Sequence, residues 1–318
     1  MGVIIVNPIF DKLTANKRKL AFVLGGGGAL GMMQVGALQA LMEADIRPDL
    51  WVGTSIGAVN ATFLAIHGFT PEGMAGLDEA WDDAIRSDML PSSYLWLSAR
   101  ILFNRVGIKP YHHRMRDFYV RNGVDPDLRF GDLGETRLRL IATDLTGHGV
   151  MVYGTDPHHS VLDGLLASSA IPPWVRPLEI DGRMFTDGGA VSDVPVEPAL
   201  NNGATEIIAM RLESTQHLTA EAAGFGPFFN RLVETIYERE FSLEMALAQA
   251  KQIPVHLLEL KADPSYTAWD FSHIKPLRDI GYRAVKEKLA DWQLSTSVPK
   301  PWYATLMDFI HRQYNGSV

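Results

Sequence analysis

Ser55 lies in Gly53-Thr54-Ser55-Ile56-Gly57, a G-x-S-x-G run between the apolar stretch Leu50-Trp51-Val52 and a helix-length apolar pattern, Ile56 to Ile66. In a strand–turn–helix context such a run forms a sharp elbow that exposes the serine Oγ, with the N-terminus of the next helix aimed at it. A hydroxyl displayed this way can attack an ester carbonyl, provided that a base takes its proton and donors hold the oxyanion. A second run offers donors: Gly25-Gly26-Gly27-Gly28-Ala29-Leu30-Gly31, again between a strand and a helix. Gly26, Gly28 and Gly31 also satisfy G-x-G-x-x-G, the dinucleotide fingerprint. That reading requires an acidic residue at the end of the second strand, where this chain has Gly53-Thr54-Ser55; Asp49 stands before the strand instead. In either reading the turn aims N–H groups and a positive dipole end at an anion, which is a phosphate or a transient oxyanion.

The serine needs a base. His112-His113 and His158-His159 are adjacent pairs whose members point to different sides of a helix or strand, and His217, His256, His273 and His311 sit in no recognisable turn motif. Surface or loop positions suit them better than catalysis or metal binding, and no metal site is expected. Asp187-Gly188-Gly189 is another source of a base, directly after the segment Arg183 to Thr186. Alone, an Asp-Gly pair at a strand end is ordinarily a turn. The absence of cysteine excludes a thiol nucleophile, disulfides, thiolate zinc sites and iron–sulfur clusters.

These residues need a scaffold, and short apolar runs alternating with helix-length patterns predict an α/β protein with a mainly parallel sheet. Strands are expected at Lys19–Leu24, Leu50–Val52, Leu138–Leu145, Val150–Tyr153, Leu178–Ile180, Arg183–Thr186, Glu206–Arg211 and Pro254–Leu260. Asp181-Gly182 signals a tight hairpin. Helices are expected at Met32–Met42, Ile56–Ile66, Pro227–Lys251 and Pro276–Trp292, with residues 72–130 mostly helical.

The chain has 318 residues, 47% of them hydrophobic and 21% charged, enough to bury a sizeable core. Its 29 basic and 37 acidic residues leave a net charge of −8, which argues against nucleic-acid binding and against charge-driven adhesion to anionic membranes. The first residues do not read as a signal peptide, because Lys17, Arg18 and Lys19 follow the apolar start rather than precede it. Leu50 to Pro71 carries no formal charge, but Gly53, Thr54, Ser55, Gly57 and Asn60 crowd one half of it, which suits a buried strand, turn and helix.

The order G-G-G-x-x-G, G-x-S-x-G, D-G-G resembles the patatin-like phospholipase family. Ala142-Thr143-Asp144-Leu145, Ala167 to Pro172 and Val194-Pro195-Val196 look like further landmarks of it. The resemblance implies a three-layer α/β/α patatin-like fold with a mainly parallel central sheet and a C-terminal helical extension. It covers residues 18–212, the expected catalytic domain; residues 213–318, where strand and helix patterns resume after Glu213 to Gly226, are expected as a C-terminal strand and helices packed on the same domain. It further implies a lipid acyl hydrolase that uses a Ser–Asp dyad without histidine and without a cofactor. Ser55 matches the nucleophile and Asp187 the base, with Gly53, Thr54, Ile56 and Gly57 forming the elbow and Gly188 and Gly189 completing the D-G-G motif. Gly26, Gly27, Gly28, Ala29 and Gly31 match the oxyanion hole, with N–H donors expected from Gly27 and Gly28, joined by Ala29. Partial burial of Asp187, disfavouring its charged form, is expected, because an ordinary carboxylate is a weak base at neutral pH.

Leu30 departs from the pattern, since many family members carry Arg or Lys there. Met89 to Leu97 and Ile101 to Phe103 read as helix core or as the wall of an acyl-chain pocket, and Phe228, Phe229 and Trp302 could extend an apolar surface. A lipid or acyl-ester substrate, a cytoplasmic setting with room for peripheral membrane contact and no nucleic-acid partner follow as expectations; oligomeric state stays open. A nucleotide-binding oxidoreductase and a catalytically silent lipid-binding protein are the competing classes.

Overall fold

A computed structural model describes residues 18–86, 111–134, 136–172, 175–214, 225–263, 266, 268, 271 and 274–292. Eight strands form one sheet: β1 (Leu20–Leu24), β2 (Leu50–Thr54), β3 (Arg137–Asp144), β4 (Gly149–Tyr153), β5 (Leu178–Ile180), β6 (Arg183–Asp187), β7 (Glu206–Ser214) and β8 (Val255–Ala262). Their order is β5-β6-β3-β2-β1-β7-β8, with β4 also paired to β3. β3, β2, β1, β7 and β8 run parallel, whereas β4, β5 and β6 are the antiparallel members. The helices are α1 (Met32–Glu43), α2 (Ile56–His67), α3 (Pro71–Arg86), α4 (Tyr111–Arg121), α5 (Val161–Ser168), α6 (Val196–Asn201), α7 (Phe225–Ala250) and α8 (Lys275–Leu289).

Strand residues alternate between two cores, as the period of two demands. Leu20, Phe22 and Leu24 pack on one face with residues of α1 to α5 and α8, while Ala21 and Val23 pack on the other with residues of α6 and α7. Both faces of β1 and β2 are covered, which explains their unbroken apolar runs. α1 is apolar nearly all round because α8 packs over it so closely that a methyl group at Gly36 would strike the carbonyl of Arg278, and one at Gly281 the carbonyl of Met33. Leu50 to Pro71 folds as the expected buried strand, turn and helix, and no helix among the described residues is long and apolar enough to cross a membrane.

Met89 to Leu97, Ile101 to Phe103 and Trp302 lie outside the described residues, as do His217, His273 and His311. Phe228 and Phe229 fall in the first turns of α7. The short helices α5 and α6 were not among the expected elements, and both pack against the strands that carry the site.

Candidate active site

The sheet brings the two chemical groups together by an unusual sharing of one strand edge. β3 has three partners: β2 opposite Arg137 to Ile141, β4 opposite Leu140 to Asp144, and β6 opposite Ala142 to Asp144. The overlaps place β2 and β6 on the same edge of β3, with β4 on the other. β2 runs up that edge to Thr54, opposite Ile141, and β6 runs down it to Asp187, opposite Ala142. The carboxyl ends of the two strands therefore meet, and Ser55 and Asp187 leave the sheet side by side.

Ser55 has φ 55° and ψ −122°, a conformation that L-residues rarely adopt and that marks a strained turn. The turn is possible because Gly57 lies where a side chain would strike the carbonyl of Leu24. The neighbours hold it in place: Ser55 N–H donates to Ser168 Oγ at 3.1 Å, and Thr54 Oγ1 donates to the Ser192 carbonyl at 2.8 Å. Ser55 is 5% exposed, directly before the first turn of α2.

Asp187 is 8% exposed. Its Oδ1 accepts the Gly189 N–H at 2.8 Å, and its own carbonyl accepts Thr143 Oγ1 at 2.7 Å. Oδ2 is buried with no hydrogen-bond partner. Burial pushes the carboxyl pKa up to about 7, against the pull of the Ser55 hydroxyl and the Gly189 amide, and the Asp193 charge adds to the rise. Ser55 is thus near enough to influence the carboxyl, although no hydrogen bond closes between them. No described histidine bonds to Ser55; His256 pairs with Glu206 at 2.9 Å, and His159 accepts the Gly154 amide at 3.2 Å.

The glycine run turns beside Ser55, with Gly27 at φ 145° and Gly28 at φ 56°. Gly25 N–H donates to the Met210 carbonyl and Gly26 N–H to that of Asp193, both at 3.0 Å. Ala29 is a correction to the expected donor set: its N–H is spent on the Ala268 carbonyl at 2.8 Å. Gly26 is likewise committed, and Gly31 belongs to the short 3-10 turn that follows. Among the described residues, the amides of Gly27 and Gly28 are the ones in this turn left without a partner. Leu30, at the position where a cation was the alternative, is 3% exposed and belongs to the main core.

A buried polar chain holds the turn from behind. Gln34 Nε2 donates to the Gly25 carbonyl at 2.8 Å; Asn60 Nδ2 donates to the Gly31 carbonyl at 3.2 Å and to Gln34 Oε1 at 3.0 Å; Trp81 Nε1 donates to Asn60 Oδ1 at 3.0 Å. Gln34 and Asn60 are fully buried. Both ends of the glycine run are thereby tied to α2, the helix that begins directly after Ser55. Sequence reasoning passed over these residues and Asp193, since a single Gln, Asn, Trp or Asp carries no motif.

Ser55 and Gly28 open onto a narrow apolar cavity of about 90 Å³, walled by Val59, Phe63, Trp81, Phe118 and Leu165 among others. Asp49, which the dinucleotide reading would need at the turn, lies at the opposite end of the sheet, where its carboxylate accepts the Leu20 N–H at 2.8 Å. Among the described residues no three His, Asp or Glu side chains are grouped to hold a metal.

Residues 22–200 match the family model described as patatin-like phospholipase. Lysophospholipase NTE1 of Cryptococcus neoformans is 24% identical over 308 residues, covering 89% of this chain and 18% of that protein. Human patatin-like phospholipase domain-containing protein 6 is 25% identical over 311 residues, covering 91% of this chain and 21% of that protein. The chain thus spans about a fifth of the length of these curated relatives. The crystal structure of VipD from Legionella pneumophila shares the fold, with a TM-score of 0.51 at 16% identity, covering 86% of this chain and 67% of that one. The family model spans more than half of the chain, including the elbow, the glycine turn and the D-G-G motif, and the chain belongs to the patatin-like phospholipase family.

Proposed function

We propose that the chain is a serine acyl hydrolase that cleaves carboxylic esters of lipids, phospholipids or lysophospholipids, through an acyl-enzyme on a Ser55–Asp187 dyad. The observation that carries this reading is the meeting of a strained serine, which lines an apolar cavity, and a buried carboxyl, beside two amides that have no partner among the described residues. A carboxyl with pKa about 7 is half ionised at neutral pH, so it can accept the Ser55 proton as Oγ attacks the ester carbonyl. The amides of Gly27 and Gly28 take the charge that develops on the carbonyl oxygen. Collapse expels the alcohol, which recovers the proton from Asp187. Water then attacks the acyl-enzyme with Asp187 again as base, releasing the carboxylic acid and restoring Ser55. The cavity takes the acyl chain, and contact with a lipid surface is apolar and local, given the net charge of −8.

The test is labelling by a fluorophosphonate together with turnover of a chromogenic ester. The wild type is expected to label and turn over, Ser55→Ala to do neither, and Asp187→Asn to lose about 10³-fold or more in kcat. Full turnover by purified Ser55→Ala would falsify the reading.

A further inference from the structure

A second cavity lies at the other end of the sheet and shares no lining residue with the one beside Ser55. Its volume is about 550 Å³, within the usual range of about 300–1,000 Å³ for small-molecule sites. It sits where the parallel strands begin: Leu50 is in register with Ala21 of β1 and with Arg137 of β3. Arg18, Lys19, Arg47 and Arg137 line one part of it, and Trp51 and Phe69 line another. In a chain of net charge −8, this gathering of cations calls for a physical reason.

The local carboxylates do not supply it. Arg18 pairs through Nε with Glu206 at 2.5 Å, yet its Nη2 is buried with no hydrogen-bond partner. Glu206 is shared with His256. Arg47 pairs with the exposed Asp45 at 3.0 Å and lies over the Phe69 ring. Lys19 Nζ donates to the Asn202 carbonyl at 2.5 Å, and Arg139, just behind, donates to Asn202 Oδ1 at 2.7 Å. Among the described residues, neither Lys19, Arg137 nor Arg139 has a carboxylate in salt-bridge contact. Asp49, the carboxylate in the wall, is tied to the Leu20 amide. Among the described residues, five cations thus face three carboxylates. Burial and the like charges of Arg137 and Arg139 hold the Lys19 ammonium below its ordinary pKa, which only Asp49 opposes. An anion seated among them would relieve this repulsion, and guanidinium groups match phosphate oxygens in charge and in donor geometry.

We propose that this cavity binds a phosphate monoester, with the phosphate held by Arg18, Lys19, Arg47 and Arg137 and the organic part against Trp51 and Phe69. The phosphate belongs either to a free small molecule or to a lipid head group. Glycerol 3-phosphate is the probe for the first, titrated into the full chain by calorimetry at constant ionic strength. Phosphatidylcholine vesicles with and without phosphatidic acid, in a co-sedimentation assay, probe the second.

The expected result is saturable binding of glycerol 3-phosphate, or sedimentation only with vesicles containing phosphatidic acid. Either is to weaken about tenfold in Arg137→Ser, with partial recovery in Arg137→Lys, and to be unchanged in Ser55→Ala. Arg137 is exposed at the rim, so its replacement leaves the fold intact, and Arg47→Ser serves as an independent second variant. The absence of saturable binding to both probes, or binding that neither Arg137→Ser nor Arg47→Ser weakens, overturns the proposal.

Discussion

Asp193 holds Gly26 at two levels: its main-chain carbonyl accepts the Gly26 N–H at 3.0 Å, and its carboxyl lies so near that a methyl group on Gly26 would come within 2.6 Å of Oδ1. The segment that follows the D-G-G motif is therefore fastened to the glycine turn. The carboxyl is partly buried, and this desolvation raises its pKa to about 6 against the pull of Arg211 and the Gly26 amide. Its charge also raises the pKa of Asp187. Asp193→Asn is expected to move the acid limb of the kcat/KM profile to lower pH. A pH–rate profile checks this, and an unmoved limb would mean that the two carboxyls do not communicate.

The wild-type rate should fall as pH drops through about 7, because protonated Asp187 cannot act as a base. Stability should run the other way. A carboxyl whose folded pKa lies above its ordinary 3.8 binds more protons folded than unfolded, so stability declines as pH rises from about 4 to about 7. Asp187→Asn is expected to raise the melting temperature at pH 8 by roughly 5 °C or more, a gain that shrinks towards pH 4. Thermal unfolding at the two pH values measures it.

Asn60→Ala strands the Trp81 indole N–H and the Gln34 amide oxygen in a buried setting. Each such orphan costs about 1–3 kcal/mol, so a loss of about 3 kcal/mol or more is expected by denaturant unfolding. Because the same bonds steady the glycine turn, kcat should fall while KM changes little. Trp81→Phe, which removes one donor and keeps a ring on the pocket wall, should show a smaller version of both effects.

Leu30→Arg should destabilise the fold by about 3 kcal/mol or more, since it forces a cation into a core position that is 3% exposed. Leu30→Met should stay within about 1.5 kcal/mol of wild type. In this chain the residue does a packing job, and a charge there has no solvent to reach. Equal melting temperatures for wild type and Leu30→Arg would contradict this.

Val59→Phe narrows the cavity beside Ser55. Turnover of long acyl esters should drop at least about tenfold in kcat/KM, while short esters are nearly unaffected. A chain-length series on the two proteins decides the matter.

Much of this was legible in the sequence, and the reason is local. The elbow and the D-G-G turn are set by neighbours in the chain, and strands such as Leu178–Ile180 and Arg183–Asp187 announce themselves through Asp181-Gly182. What stayed hidden depends on distant pairing. That Ala29 has no N–H to offer follows from the Ala268 carbonyl, far along the chain, and that Gly25 and Gly26 are held by Met210 and Asp193 is likewise set by residues that no local pattern links to them. The helix α5 supplies Ser168 to the elbow, but its Val161–Ser168 run is short and weakly patterned.

The hydrogen bonds from Gly25 to Met210 and from Ala29 to Ala268 have a practical side. The family model stops at residue 200, and a fragment trimmed there would keep every residue of the recognised motifs. It would lack β7, the neighbour that closes one side of β1, as well as both carbonyls that clamp the glycine turn and the helix that covers α1. Such a fragment would be a tool with its blade intact and its handle missing. The signature by which the chain is recognised is smaller than the device that makes it work, and any shortened version has to be cut beyond Leu289.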